Sequence, residues 1–116
     1  MAKHKGGCHC GNIGYEFDGE IGEAMECNCS LCAKRGGLLS FVPAAAFTLA
    51  TSREKLGTYR FNKHAIEHHF CPACGVSPFS EGKDRQGNMM VAINLRCVEG
   101  IDPHTLKIKF HNGRDQ

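Results

Sequence analysis

A mainly β fold is what this sequence predicts, and three observations carry the prediction. Apolar residues alternate with polar ones over short runs, the pattern of a half-buried strand. Glycine and charged residues punctuate those runs as turns do. No window sustains a 3.6-residue apolar period between capping residues, so helices are expected to be a turn or two at most. The chain has 116 residues with no tryptophan, two tyrosines and seven phenylalanines. Aromatic burial therefore falls mostly to phenylalanine, in one domain over residues 1–116 with a modest core.

The elements follow in order. Ile13, Tyr15 and Phe17 alternate with Gly14 and Glu16, giving a strand that stops at Asp18-Gly19. Leu39 and Phe41 continue the theme as far as Pro43, with short helical turns expected at Ala44 to Phe47 and just after Cys32. Tyr59 to Phe61, then Ile66, His68 and Phe70, lead into Cys71-Pro72-Ala73-Cys74-Gly75, with Val76 and Phe79 beyond. Met89 to Leu95 is an apolar run broken only by Asn94, the signature of a strand covered on both faces. Leu106, Ile108 and Phe110 alternate with Lys107, Lys109 and His111 to close the chain. Some eight short strands in this length point to stacked antiparallel sheets with cysteine turns as knuckles at their ends.

Seven of the eight cysteines fall into three clusters: Cys8 and Cys10; Cys27, Cys29 and Cys32; Cys71 and Cys74. Four disulfides would also use an even count. Against that, no apolar stretch precedes Cys8, so no secretory leader is expected, and nothing is long enough to span a membrane. The expected setting is the reducing cytoplasm. A bridge within C-H-C would also close a strained ring. Iron–sulfur ligation fits less well, because the runs of C-x₂-C steps found in ferredoxins are missing. Zinc remains, in two sites, the second of them partly occupied at times. In C-P-A-C-G, the proline presets a tight turn and Gly75 permits positive φ, which aims backbone N–H groups at the sulfurs and favours thiolate.

The ligand sets stay open at this level. Cys8 and Cys10 pair either with Cys71 and Cys74, giving a closed structural site, or with two of Cys27, Cys29 and Cys32. Those last three fill three corners around an ion. Cys97 or one of seven histidines would close the fourth, unless Cys97 is simply a small buried hydrophobe. His64, His68 and His69 read as strand residues, with His4 and His9 in solvent. If the fourth corner is open, an electron-rich three-thiolate zinc is a weak activator of water and suits a second thiol instead. Lys34 and Arg35 follow Cys32 after Ala33 and would bind a substrate carboxylate or balance the anionic centre. Gly36 and Gly37 admit close backbone approach or turn the chain, and Asn94 and Arg96 read as structural.

The formal charge is +2, and seven thiolates on two Zn²⁺ would move it to about −1. Lysine and arginine are scattered rather than gathered into a stripe, so nucleic acid is not expected as a partner.

G-G-C-H-C-G at Gly6 to Gly11, C-N-C-S-L-C-A-K at Cys27 to Lys34, F-C-P-A-C-G at Phe70 to Gly75 and N-L-R-C at Asn94 to Cys97 resemble the glutathione-dependent formaldehyde-activating enzyme family, which includes centromere-protein-V-type domains. The resemblance covers nearly the whole chain. It implies a β-tent of small antiparallel sheets, a structural zinc at Cys8, Cys10, Cys71 and Cys74, and a second zinc at Cys27, Cys29 and Cys32 through which catalysis runs. It further implies a small thiol such as glutathione as partner and a carbon–sulfur lyase reaction on its formaldehyde adduct, S-(hydroxymethyl)glutathione. The alternative is a non-catalytic zinc module that binds a protein.

Overall fold

The computed structural model describes residues 3–60 and 66–113. Phe61 and His64, both read above as strand residues, lie outside them. Among the described residues ten strands form two sheets. The first sheet holds β1 (Lys3–Gly7), β2 (Gly14–Asp18) and β5 (Phe47–Leu49) in the order β1-β2-β5, all antiparallel. The second contains β3 (Glu23–Cys27), β4 (Leu38–Pro43), β6 (Gly57–Tyr59), β7 (Glu67–Phe70), β8 (Phe79–Lys83), β9 (Met89–Asn94) and β10 (Lys107–His111), in the order β10-β3-β4-β9-β8-β7-β6. One short α-helix, α1 (Ser30–Arg35), links β3 to β4, and 3₁₀ turns cover Ala44–Ala46, Arg53–Lys55, Leu95–Cys97 and Pro103–Thr105.

The core lies between the sheets. Ile13, just before β2, and Tyr15 and Phe17 within it are buried with Phe79, Val91 and Ile93 from β8 and β9. Tyr15 meets Phe79 edge-on at 5.7 Å between ring centroids and Phe47 at 5.1 Å, geometries that favour aromatic pairs. Its hydroxyl donates to the Pro78 carbonyl (3.3 Å), so the one polar atom of this buried ring has a partner.

Four expectations need correction. The pairing of β10 with β3 is parallel, from Lys107↔Glu23 to His111↔Cys27. The alternation along β10 buries nothing deeply, and Ile108 and Phe110 are 43% and 61% exposed. Strand β9 buries Val91 and Ile93 on one face only. Its other face carries Met90 and Ala92, which border a hollow of about 240 Å³ with Phe41 and Ile66. His4 leaves solvent to stack on Phe17 at 5.1 Å and bond the Gly19 carbonyl (3.1 Å). Among the described residues no helix is long and apolar enough to cross a membrane.

Candidate metal centres

The first centre is built at two turns. After β1 the chain reverses into β2, with the Cys8 N–H on the Ile13 carbonyl (3.1 Å) and the Ile13 N–H on Cys8 Sγ (3.2 Å). Between β7 and β8 the Cys71 N–H bonds the Val76 carbonyl (2.9 Å) and the Gly75 N–H bonds the Cys71 carbonyl (2.7 Å). Gly75 sits at φ 82°, where a side chain would be strained. The knuckle thereby sets the Cys74 N–H 3.4 Å from Cys71 Sγ, and Asn12 Nδ2 donates to the same sulfur (3.8 Å).

These turns bring Cys8, Cys10, Cys71 and Cys74 together, their sulfurs all within 4.8 Å of one another. Cys10 Sγ is 3.7 Å from Cys8 Sγ and 3.6 Å from Cys71 Sγ. A tetrahedral zinc with Zn–S of about 2.3 Å requires sulfurs about 3.8 Å apart, whereas a disulfide needs about 2.05 Å. The spacing fits the ion, and all eight cysteines are free thiols. Electrostatics agree. The Val76 N–H holds Cys74 down to about 6, while Cys10, lowered by the Asn12 N–H but crowded by Cys71 and Cys8, is pushed up to about 11. Four adjacent thiols lose all their protons together only when a cation offsets the charge.

The second centre is more local. Cys27 ends β3, Cys29 caps α1, and Cys32 lies in its first turn. The Cys29 N–H points at Cys27 Sγ and the Cys32 N–H at Cys29 Sγ, each at 3.4 Å. Gly36 closes the helix with its N–H on the Cys32 carbonyl (2.9 Å). The three sulfurs lie within 4.8 Å of one another, and the site is open to a metal of the same spacing. Burial, with Cys29 and Cys27 alongside, pushes Cys32 up to about 12; Cys29 is lowered, its own burial being outweighed by the Cys32 N–H and the neighbouring thiols.

The C-terminal strand walls this centre. His111 is the parallel register partner of Cys27, and the Asn28 N–H bonds its carbonyl (3.2 Å). Asn28 Nδ2 also donates to Asn112 Oδ1 (2.8 Å). At Gly113 an added Cβ would stand 2.7 Å from Cys27 Sγ, 3.3 Å from Cys29 Cβ and 3.5 Å from His111 Cδ2. Only a glycine lets the backbone pass this close to the sulfurs. Neither His111 nor Gly113 was singled out in the sequence. H-N-G after an alternating run signals a strand end, but its landing beside Cys27 depends on the unforeseen parallel pairing.

Cys97 goes elsewhere. Val98 bridges Gly6, and the Glu99 N–H bonds the Lys5 carbonyl (2.8 Å), so its segment runs along β1 toward the first centre. Burial, with Cys8 and Cys74 nearby, pushes its thiol up to about 11. Cys8 and Cys10 likewise make no group with Cys27, Cys29 or Cys32.

Lys34 is exposed. Arg35 turns back, its Nη1 donating to Ser77 Oγ (2.7 Å), and partial burial lowers its basicity although Cys32 and Tyr59 oppose that. Asn94 fixes this neighbourhood, donating to the Ser77 carbonyl (3.1 Å) while accepting from the Arg96 N–H. A third cluster, Glu67, His69 and Glu81, is also close enough for an ion. Arg53 and His69 both donate to Glu81, at 2.5 and 2.7 Å, and Arg60 pairs with Glu67. The guanidinium groups already neutralise it, which makes it an ion-pair network.

A family model described as glutathione-dependent formaldehyde-activating enzyme matches residues 3–111. Among solved structures, the crystal structure of a Rhodobacter sphaeroides protein is similar, with a TM-score of 0.78 and 25% identity. The match covers 90% of this chain and 99% of that one.

Proposed function

Since the chain belongs to the glutathione-dependent formaldehyde-activating enzyme family, we propose that it is a carbon–sulfur lyase acting on a small thiol adduct, with S-(hydroxymethyl)glutathione as its type substrate. In the synthetic direction a thiol adds across a small carbonyl: the S–C bond forms, the C=O π bond opens, and the thiol proton ends on the new hydroxyl.

Cys27, Cys29 and Cys32 would hold the catalytic zinc, and Cys8, Cys10, Cys71 and Cys74 a structural one. A bound zinc would supply a Lewis-acidic corner that keeps a substrate thiol deprotonated near neutral pH. The protein's own part is orientation. The N–H groups of Cys29 and Cys32 fix the sulfurs, and Arg35, braced on Ser77 beside Cys32, presents a guanidinium to a substrate carboxylate. Lys34 faces solvent and contributes only to the local field.

The observation that supports this reading is the grouping of three sulfurs with Cys97 placed at the other centre. A closed four-thiolate site would have no room for substrate. Zinc-loaded protein mixed with glutathione and formaldehyde is expected to form adduct faster than the spontaneous reaction. Replacing Cys29 by serine (Cys29→Ser) is expected to abolish the difference. Adduct formation at the spontaneous rate would refute the lyase reading, leaving a zinc module for protein binding.

A further inference from the structure

The second centre has three sulfurs and a histidine beside them. Resting on the reading of Cys27, Cys29 and Cys32 as a metal site, we propose that His111 is its displaceable fourth ligand, bound at rest and released when the substrate thiol arrives.

Placement within the fold singles out this residue. Five other histidines are described, and each is held away from the cluster or belongs to another neighbourhood. His4 stacks on Phe17, and His9 stands in the exposed loop between Cys8 and Cys10. His68 bonds Ser80 Oγ (3.1 Å), His69 bonds Thr58 and Glu81, and His104 lies in the exposed 3₁₀ turn before β10. Cys97 follows β1 to the first centre. His111 alone among them is the register partner of a cluster cysteine.

Paired residues on parallel strands share a face and stand about 4.8 Å apart. An added Cβ at Gly113 would stand 2.7 Å from Cys27 Sγ and 3.5 Å from His111 Cδ2, so the Gly113 backbone packs against both the thiol and the imidazole and places them in one neighbourhood. His111 is not within the 4.8 Å group that the three sulfurs form. Ligation therefore requires the ring to turn about its side-chain torsions toward the three sulfurs, on the face it shares with Cys27, with the strand staying in place.

The chemistry favours exchange. Imidazole is a neutral zinc ligand, so three thiolates and a histidine leave the centre at −1. An incoming thiol gives up its proton to the released imidazole as it binds; its thiolate is the softer donor and takes the centre to −2, with Arg35 beside Cys32 to offset the added charge. A fourth cysteine in the chain would bind too firmly to yield. A histidine on the edge strand β10 would complete the ligand set at rest and still give way.

X-ray absorption at the zinc edge tests this on the full chain loaded with two zinc ions. Wild type is expected to show imidazole scattering equal to about one histidine per two zincs. That signal should vanish in His111→Ala and also when glutathione is added to wild type. His111→Cys should give an all-sulfur spectrum that glutathione no longer changes. Absence of imidazole scattering in the two-zinc wild type, or its persistence in His111→Ala or under saturating glutathione, would overturn the proposal. The wild-type comparison with and without glutathione needs no variant to fold. Loss of the imidazole signal on adding glutathione, in a protein without lyase activity, would sustain the ligand and refute the enzyme. Only one zinc per chain would refute both.

Discussion

At the scale of single residues, two neighbours in sequence have different surroundings. Lys34 and Arg35 read alike as cations after a metal cluster, and both are exposed, yet Arg35 reaches back to Ser77 and into the field of Cys32. An arginine held on one nitrogen keeps its remaining donors for a planar, two-oxygen partner. Arg35→Ala is therefore expected to raise KM for the glutathione adduct by about tenfold, the worth of one charge-assisted hydrogen bond. Lys34→Ala should leave it within about twofold. Steady-state kinetics separate the cases, and equal effects of the two substitutions would remove Arg35 from the binding role. The distinction was invisible in the sequence because it depends on Ser77, in the distant connection between β7 and β8, which Asn94 of β9 holds by its carbonyl.

At the scale of elements, β7 and β8 carry their own polar network on the face that elsewhere forms the core. Glu67, His69 and Glu81 share that face, and Thr58 joins from β6. The guanidinium of Arg53 and the ring of His69 overcome the effect of burial on Glu81 and hold its carboxyl below the usual range. The sign follows. A depressed carboxyl stabilises the fold above its unfolded value of about 4.3 and loses that contribution as pH falls through the folded value. Glu81→Gln is expected to cost about 1–2 kcal/mol at neutral pH, the exposure of Arg53 reducing a buried pair's worth. Denaturant titrations should show the gap closing as pH falls below about 4, and a gap independent of pH would mean the loss is one of shape rather than charge. Elements with a self-contained pattern were legible from sequence: β2, the C-P-A-C-G knuckle and the turn at Ala44–Ala46 stand where expected, whereas β4 spans the expected residues but buries Leu38 and Val42 and leaves Phe41 46% exposed, the opposite phase to the expected Leu39 and Phe41. Strands β1 and β3 were not, because Lys-His-Lys-Gly-Gly and Glu-Ala-Met-Glu-Cys carry little alternation and are made strands by their partners. Parallel pairing of β10 is a long-range choice that no local run of residues encodes.

At the scale of the whole molecule, the two centres tie the structure together differently. Cys8 and Cys10 lie in the turn joining β1 to β2 in the three-stranded sheet, and Cys71 and Cys74 in the turn joining β7 to β8 in the seven-stranded one, with a sequence separation of 61 from Cys10 to Cys71. An ion there would clamp one sheet to the other across the core, closing a loop whose chain entropy alone is worth about 4 kcal/mol. The second centre gathers its sulfurs within six residues from Cys27 to Cys32, so loop closure there contributes little to the global fold. Metal removal should therefore proceed in two stages. A mild chelator is expected to take the second zinc first, abolishing activity while the tertiary near-ultraviolet signal of the packed Tyr15 persists. A stronger chelator, or Cys71→Ser, should remove the first and unfold the chain, since structural zinc supplies about 10 kcal/mol or more in small domains while their net stability is about 5–15 kcal/mol. Cys71 is fully buried among core side chains, which couples loss of the ion directly to loss of packing. Parallel measurement of zinc release, activity and circular dichroism decides the matter: simultaneous loss of all three would mean that the local cluster, not only the inter-sheet clamp, holds the fold.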